Sequence, residues 1–101
     1  MPSVSPLPHL VLYARPGCHL CDEAREAIEA VLADREARGL PVPPLSERNI
    51  DEDAELHRRF LERIPVVELD GRRIELIVTV GQVRRLLTDV LDSPPAEGTP
   101  G

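Results

Sequence analysis

A chain of 101 residues is long enough for one domain with a single core and too short for two. Its formal charge is −6, its 12 cationic residues are all Arg and are dispersed along the chain, and aromatic content is 2%, Tyr13 and Phe60. With no basic run and no stacking platform, nucleic acid is not expected as a partner. Residues 1–8 carry Pro2, Pro6 and Pro8 but neither the basic start nor the apolar stretch of a signal peptide. No run approaches the roughly 18 consecutive apolar residues of a membrane span, so a cytoplasmic protein without membrane association is expected.

His9 to Tyr13 is a short apolar run closed by Ala14-Arg15-Pro16-Gly17, the pattern of a strand buried on both faces followed by a turn. From Leu20 onward, Ala24, Ala27, Ile28, Val31 and Leu32 recur at helical spacing with charged residues on the other side, and Gly39 follows Arg35 and Arg38 as a helix stop. Residues 40–44 are a proline-rich connector, and 45–50 a weaker strand suited to a sheet edge. Asp51 and Asp53 are candidate N-caps for a second helix whose apolar face runs from Ala54 to Ile64, where Pro65 ends it. Segments 66–69 and 74–80 flank Asp70-Gly71, a tight-hairpin signal. A third amphipathic helix follows Gly81 through Val83, Leu86, Leu87, Val90 and Leu91.

The expected order is β-α-β-α-β-β-α. It gives an α/β fold whose first two strands are parallel with a right-handed crossover, whose hairpin completes a four-stranded mixed sheet, and whose helices cover both faces. Residues 1–8 read as a flexible N-terminus, 9–91 as the domain and 92–101 as a disordered tail.

Cys18 and Cys21 are the only cysteines, and both sit where an apolar strand gives way to a helix. Backbone N–H groups at a helix start favour a thiolate, and the thiolate is the nucleophile of disulfide exchange. A disulfide closing so short a loop would restrain the unfolded chain little, so a redox pair is favoured over a structural staple. The alternative is half of a zinc site, which needs two further ligands from a chain whose other soft donors are only His9, His19 and His57. A metal or iron-sulfur cluster bridging two chains is the remaining form of that alternative. His19, between the two cysteines, is read as a redox-tuning residue: protonated, it would hold Cys18 as thiolate and make the pair more oxidising than about −270 mV, with a solvated side chain of little effect as the competing reading. Asp22 and Glu23 would act in the opposite direction.

The strings Leu12-Tyr13-Ala14-Arg15-Pro16-Gly17-Cys18-His19-Leu20-Cys21-Asp22-Glu23-Ala24, Asn49-Ile50-Asp51-Glu52-Asp53 and Ile64-Pro65-Val66-Val67-Glu68-Leu69-Asp70-Gly71 resemble the glutaredoxin-like family of the thioredoxin-fold superfamily. The resemblance spans about residues 9–91. It implies that Cys18 is the exposed attacking cysteine, Cys21 the resolving one, and Pro65 the cis-proline facing the dithiol. It also implies that the backbone N–H and C=O of Ile64 pair with an extended substrate. Arg15 stands where glutaredoxins carry a Lys that helps hold a glutathione carboxylate, against the plain alternative of a solvated Arg. Tyr13 matches a tyrosine that often walls the substrate groove, although packing is the safer role for it. His57 is expected as a partly buried, satisfied side chain.

Two departures weaken the link to glutathione. Arg63-Ile64 replaces the Thr-Val common before the proline, and Thr79-Val80-Gly81-Gln82-Val83 replaces a double glycine followed by Asp, leaving Gly81 and Gln82 as candidate backbone donors. The expectation is therefore a monomeric thiol-disulfide oxidoreductase with no bound cofactor. It acts on a disulfide-containing protein or small molecule, and a protein reductase is at least as strong a candidate electron donor as glutathione. The competing class is a non-enzymatic module of the same fold that carries a metal or docks a protein.

Overall fold

The computed structural model describes residues 7–92, so the expected N-terminal segment up to Ser5 and Pro6 and the expected tail from Ser93 onward lie outside the described residues. Strand β1 (Leu10–Ala14) leads into helix α1 (His19–Ala37), then strand β2 (Leu45–Asn49), a 3₁₀ turn (Ile50–Glu52) and helix α2 (Ala54–Phe60). Strands β3 (Val66–Leu69) and β4 (Arg72–Glu75) precede helix α3 (Val80–Leu87), which runs on into a π-helical turn (Thr88–Asp92). The four strands form one mixed sheet in the order β2-β1-β3-β4. β1 and β2 are parallel, while β3 runs antiparallel to both β1 and β4, which confirms the expected order and topology.

Alternation along β1 assigns the two faces of the sheet. Leu10, Leu12 and Ala14 meet Cys21, Ala24, Ile28 and Val31 of α1 and Val83, Leu86 and Leu87 of α3. On the other face Tyr13 packs with Ile50, Leu56, Phe60 and Val66 beneath α2. Helices thus cover both sides, and β2 is the half-exposed edge its polar sequence predicts.

Local chemistry fixes the turns. Gly39, at φ +73°, ends α1, where its N–H donates to the Glu36 carbonyl at 3.1 Å and that of Leu40 to the Arg35 carbonyl at 2.9 Å. These two bonds satisfy orphan helix carbonyls in the Schellman arrangement. Asp70 and Gly71 both have positive φ, as a type I′ hairpin turn requires. Of the two candidate caps, Asp53 caps α2, accepting from the amides of Glu55 and Leu56 at 2.9 and 3.2 Å, whereas Asp51 sits in the 3₁₀ turn.

Three boundaries differ from expectation. α2 stops at Phe60, short of the expected Ile64: residues 61–63 form a turn in which the amides of Arg63 and Ile64 share the Phe60 carbonyl at 2.8 and 3.0 Å, and Pro65, with no N–H, offers the helix no further donor. β4 covers 72–75 and not 74–80, since its partner β3 begins after Pro65 and Val66 opposite Glu75 is the last pair. α3 starts at Val80, ahead of Gly81, where Thr79 and Gln82 form a reciprocal capping box.

Candidate active site

One end of the sheet gathers the site. β1 ends at Ala14 beside Asn49 of β2, and antiparallel β3 begins opposite Tyr13 at Val66, so the loop 15–18 and the Ile64-Pro65 segment emerge together. α1 and α3 both start at this same end, α3 because β4 runs antiparallel to β3.

Cys18 is the N-cap of α1. Its backbone is extended at φ −95° and ψ 110°, and its Sγ accepts the Cys21 amide at 3.1 Å. The sulfur therefore satisfies one of the orphan N–H groups of the first turn, a task usually given to a Ser, Thr or Asp oxygen. The two sulfurs are joined as a disulfide with a Cα–Cα separation of 5.1 Å. They are unequal in access: Cys18 is half-buried, while Cys21 is fully buried in the cluster between sheet and helices. Ile64 packs against this same cluster, and the Ile64-Pro65 peptide bond is cis.

The other residues singled out in the sequence divide into two groups. His19 is solvated and its Nε2 lies 3.0 Å from a carboxylate oxygen of Glu23, one helical turn on. Arg15 donates from Nε to Asp51 at 3.3 Å, and the other carboxylate oxygen of Asp51 is 3.7 Å from His57 Nε2. Arg15 also lines a pocket of about 270 Å³ with Ala14, Pro16, Asp22, Arg25, Glu47 and Asn49. In that pocket Arg25 donates to Glu47 at 2.9 Å and to Asp22 at 2.8 Å; its bond lowers the Glu47 pKa, partly opposed by burial. His57 is half-buried, as expected, but its contact with Asp51 at 3.7 Å is longer than a hydrogen bond.

Tyr13 lies on the far side of the sheet from the cluster holding Cys18. Its ring centroid is 4.6 Å from that of Phe60, and its hydroxyl donates to Glu68 at 3.0 Å. Burial, then the Glu68 bond, raise its pKa above the ordinary 10.0. It is a packing residue, as its alternation with Leu12 and Ala14 implies, and not a groove wall beside the dithiol.

Two backbone expectations also change. The Ile64 N–H donates to the Phe60 carbonyl at 3.0 Å, so an extended substrate would meet its carbonyl alone. The Gln82 N–H, a candidate donor for glutathione, donates to Thr79 Oγ1 at 3.2 Å, while Gln82 Oε1 accepts the Thr79 amide at 2.9 Å. The signal for that cap, Thr79-x-x-Gln82, stands in the sequence, with Thr79 inside the expected strand 74–80. Among the described residues no three or more His, Cys, Asp or Glu side chains gather as a metal site, and no helix is long and apolar enough to cross a membrane.

Known proteins give the same picture. A structural genomics target protein from X. campestris, XcR50, is 31% identical, with a TM-score of 0.65 over 79% of this chain and 96% of its own. A malarial protein is 15% identical, with a TM-score of 0.63 over 84% of this chain and 98% of its own. Chloroplastic thioredoxin z is 13% identical, with a TM-score of 0.63 over 86% of this chain and 80% of its own, and these last two likenesses are of fold. No curated protein matches. Residues 9–89 match the family described as Glutaredoxin-like domain (DUF836), and with a thioredoxin-like fold bearing its two cysteines at the start of α1, the chain belongs to that glutaredoxin-like family.

Proposed function

We propose that the protein is a thiol-disulfide oxidoreductase in which Cys18 attacks and Cys21 resolves. The observation that carries this reading is the position of Cys18 Sγ: half-exposed, accepting an amide hydrogen at the positive end of a 19-residue helix, and within bonding range of a buried second sulfur. In the dithiol state the same amide and the helix dipole favour thiolate over thiol.

In the reducing direction the Cys18 thiolate forms a bond to one sulfur of a substrate disulfide, and the other sulfur leaves as a thiolate. Cys21, losing its proton to solvent or to that leaving group, then attacks Cys18 Sγ. The Cys18–Cys21 disulfide closes, the second substrate sulfur is released, and two electrons have passed from dithiol to substrate. Ile64 and Pro65 shape the groove beside Cys18, with the Ile64 carbonyl as a hydrogen-bond acceptor for an extended chain. Arg15 forms a polar rim partly neutralised by Asp51. His19 acts on Cys18 against the competing charge of Glu23.

The proposed protein is a cytoplasmic monomer that binds no cofactor, and a protein reductase is its proposed electron donor, because the capping box occupies the Gln82 amide that glutathione would use. The test is insulin reduction with dithiothreitol as electron source, followed by separate trials with glutathione and its reductase and with thioredoxin reductase. Wild type should accelerate reduction, Cys18→Ser should abolish the acceleration, and Cys21→Ser should accumulate a mixed disulfide on Cys18. Accessible, reduced thiols that accelerate nothing would overturn the proposal and favour a non-enzymatic module that binds a metal or a protein.

A further inference from the structure

The most unusual backbone in the domain lies beside the site and is apolar. Leu76 has φ +70°, and the Ile77 amide donates to the Glu75 carbonyl at 2.9 Å, so Leu76 is the centre of a γ-turn of the rare, strained kind. The Leu76 amide is shared between the Pro65 carbonyl at 2.9 Å and the Arg63 carbonyl at 3.1 Å. The turn is therefore pinned to both sides of Ile64. What it presents costs stability twice, because Leu76 is 48% exposed and Ile77 57%. A side chain held in left-handed backbone and then left in water serves neither backbone nor core.

Two further exposed apolar residues lie in elements that start at the same end of the sheet. Val80, the first residue of α3, and Leu20, between the cysteines, are 37% and 41% exposed. Val78, between the turn and α3, is buried in the cluster that holds Cys21 and touches Cys18. The only other large exposed apolar residues among those described are Val42 and Leu61. Four of the six thus start or adjoin the elements that open at the catalytic end of the sheet.

We propose that Leu76 and Ile77 are the specificity-determining residues of this site and select a disulfide in an extended polypeptide whose cysteine is flanked by an apolar side chain. The inference rests on the oxidoreductase reading and narrows its substrate. The turn spends its Leu76 and Ile77 amides internally, and the adjacent helix start is capped by its own Thr79 and Gln82, so a small polar thiol meets few donors here. An apolar side chain meets Leu76, Ile77 and Val80, while its backbone meets the Ile64 carbonyl. A second copy of the chain is the weaker occupant, because two molecules of charge −6 repel.

The test uses the full chain with both thiols reduced and two short peptides, each carrying one cysteine as a mixed disulfide with thionitrobenzoate and differing only in Leu or Ser beside that cysteine. Cys18 attacks the peptide sulfur, and the released thionitrobenzoate reports the rate. Wild type should favour the Leu peptide by about tenfold, the usual scale for one apolar side chain in a pocket. Ile77→Ser should bring the ratio close to one. Leu76→Gly should do the same while its Tm stays at or above that of wild type, since glycine adopts positive φ without penalty and a merely structural Leu would lower it. Equal rates for the two peptides in wild type overturn the inference and leave the dithiol chemistry standing. A ratio retained in both variants overturns the assignment to this turn. Sedimentation showing dimers that Ile77→Ser dissociates overturns the choice of occupant. No reaction with either peptide removes the oxidoreductase reading and this inference with it.

Discussion

Replacing Asp92 by Asn isolates one buried ion pair that anchors the helix carrying the dithiol. Arg35 of α1 is 4% exposed; it donates to the Pro41 carbonyl from Nε at 2.7 Å and to both oxygens of Asp92 at 2.9 and 2.7 Å. Stripping one partner from a fully buried pair costs about 3–5 kcal/mol, because the remaining charge is desolvated and unmatched. Here the Asp92 side chain is 25% exposed, so water takes over part of the loss. Asn offers one acceptor oxygen and turns an NH2 donor towards the second Arg35 N–H, so one bond is lost and the other gives up its anionic acceptor, at a cost of about 2 kcal/mol, or roughly 10 °C in Tm for a domain of this size.

The pH dependence has a definite sign. The bond from Arg35 holds the Asp92 carboxyl below the ordinary carboxylate range, against the opposing effect of burial. A depressed folded pKa gives stability that is complete above the unfolded value of about 3.9 and is lost as pH falls through the folded value. Thermal unfolding of wild type and Asp92→Asn, followed by far-UV circular dichroism, should show the full gap at about pH 7 and its closure in acid below about pH 4. Arg35 lies 17 residues beyond Cys18, about 25 Å along the helix at 1.5 Å per residue, so thiol reactivity at room temperature should be unchanged. A gap below about 0.5 kcal/mol at neutral pH, the scale of an ordinary surface substitution, would refute the anchor. So would a gap that persists in acid, where the wild-type Asp92 carboxyl is protonated.

Two further outcomes follow from the charges near the site. Glu23→Gln should lower the apparent Cys18 pKa measured from the pH dependence of iodoacetamide alkylation, because it removes a carboxylate that opposes the thiolate, and the shift should persist in a His19→Ala background; a rise that vanishes in that background would mean that Glu23 acts instead through its 3.0 Å contact, by keeping the imidazole charged. Tyr13 is the only tyrosine and there is no Trp, so its phenolate can be followed by ultraviolet absorbance alone. Its midpoint should lie above 10.0 and fall towards that value in Glu68→Gln; its contribution to stability should be present below the unfolded pKa and be lost as pH rises through the folded one, and a midpoint at or below 10.0 in wild type would contradict the buried hydroxyl–carboxylate bond.

What could be read from the sequence was what neighbouring residues decide. Asp70-Gly71 closes its hairpin because both residues tolerate positive φ, and Gly39 stops α1 for the same reason. The dithiol was legible because strand, turn and helix start are contiguous from Leu10 to Cys21. The end of β4 was not: Leu76-Ile77-Val78-Thr79-Val80 has the composition of a strand, and only bonds from Leu76 to Arg63 and Pro65, more than ten positions away, break it. Arg35 and Asp92 are 57 positions apart, and nothing local distinguishes Arg35 from the solvated arginines around it. Tyr13 falls between these cases. Its face follows from alternation, but a strand apolar on both sides conceals which face meets the dithiol.

The placement of Cys18 ties the legible part to the chemistry. Its Sγ caps the helix and closes the disulfide at once, and the two tasks make different demands on the atom. A disulfide sulfur is a weak acceptor, so in the oxidised state the Cys21 amide is poorly satisfied; a thiolate is a strong one, so reduction improves the cap at the moment it creates the charge. The helix start then needs no rearrangement to receive that charge, because the amide already points at the sulfur from 3.1 Å. Stabilisation of this kind acts on whichever sulfur caps the helix, and the fully buried Cys21 has no matching role. The proposed division of labour, Cys18 attacking and Cys21 resolving, thus has its support in the local geometry of a helix N-terminus, before any substrate arrives.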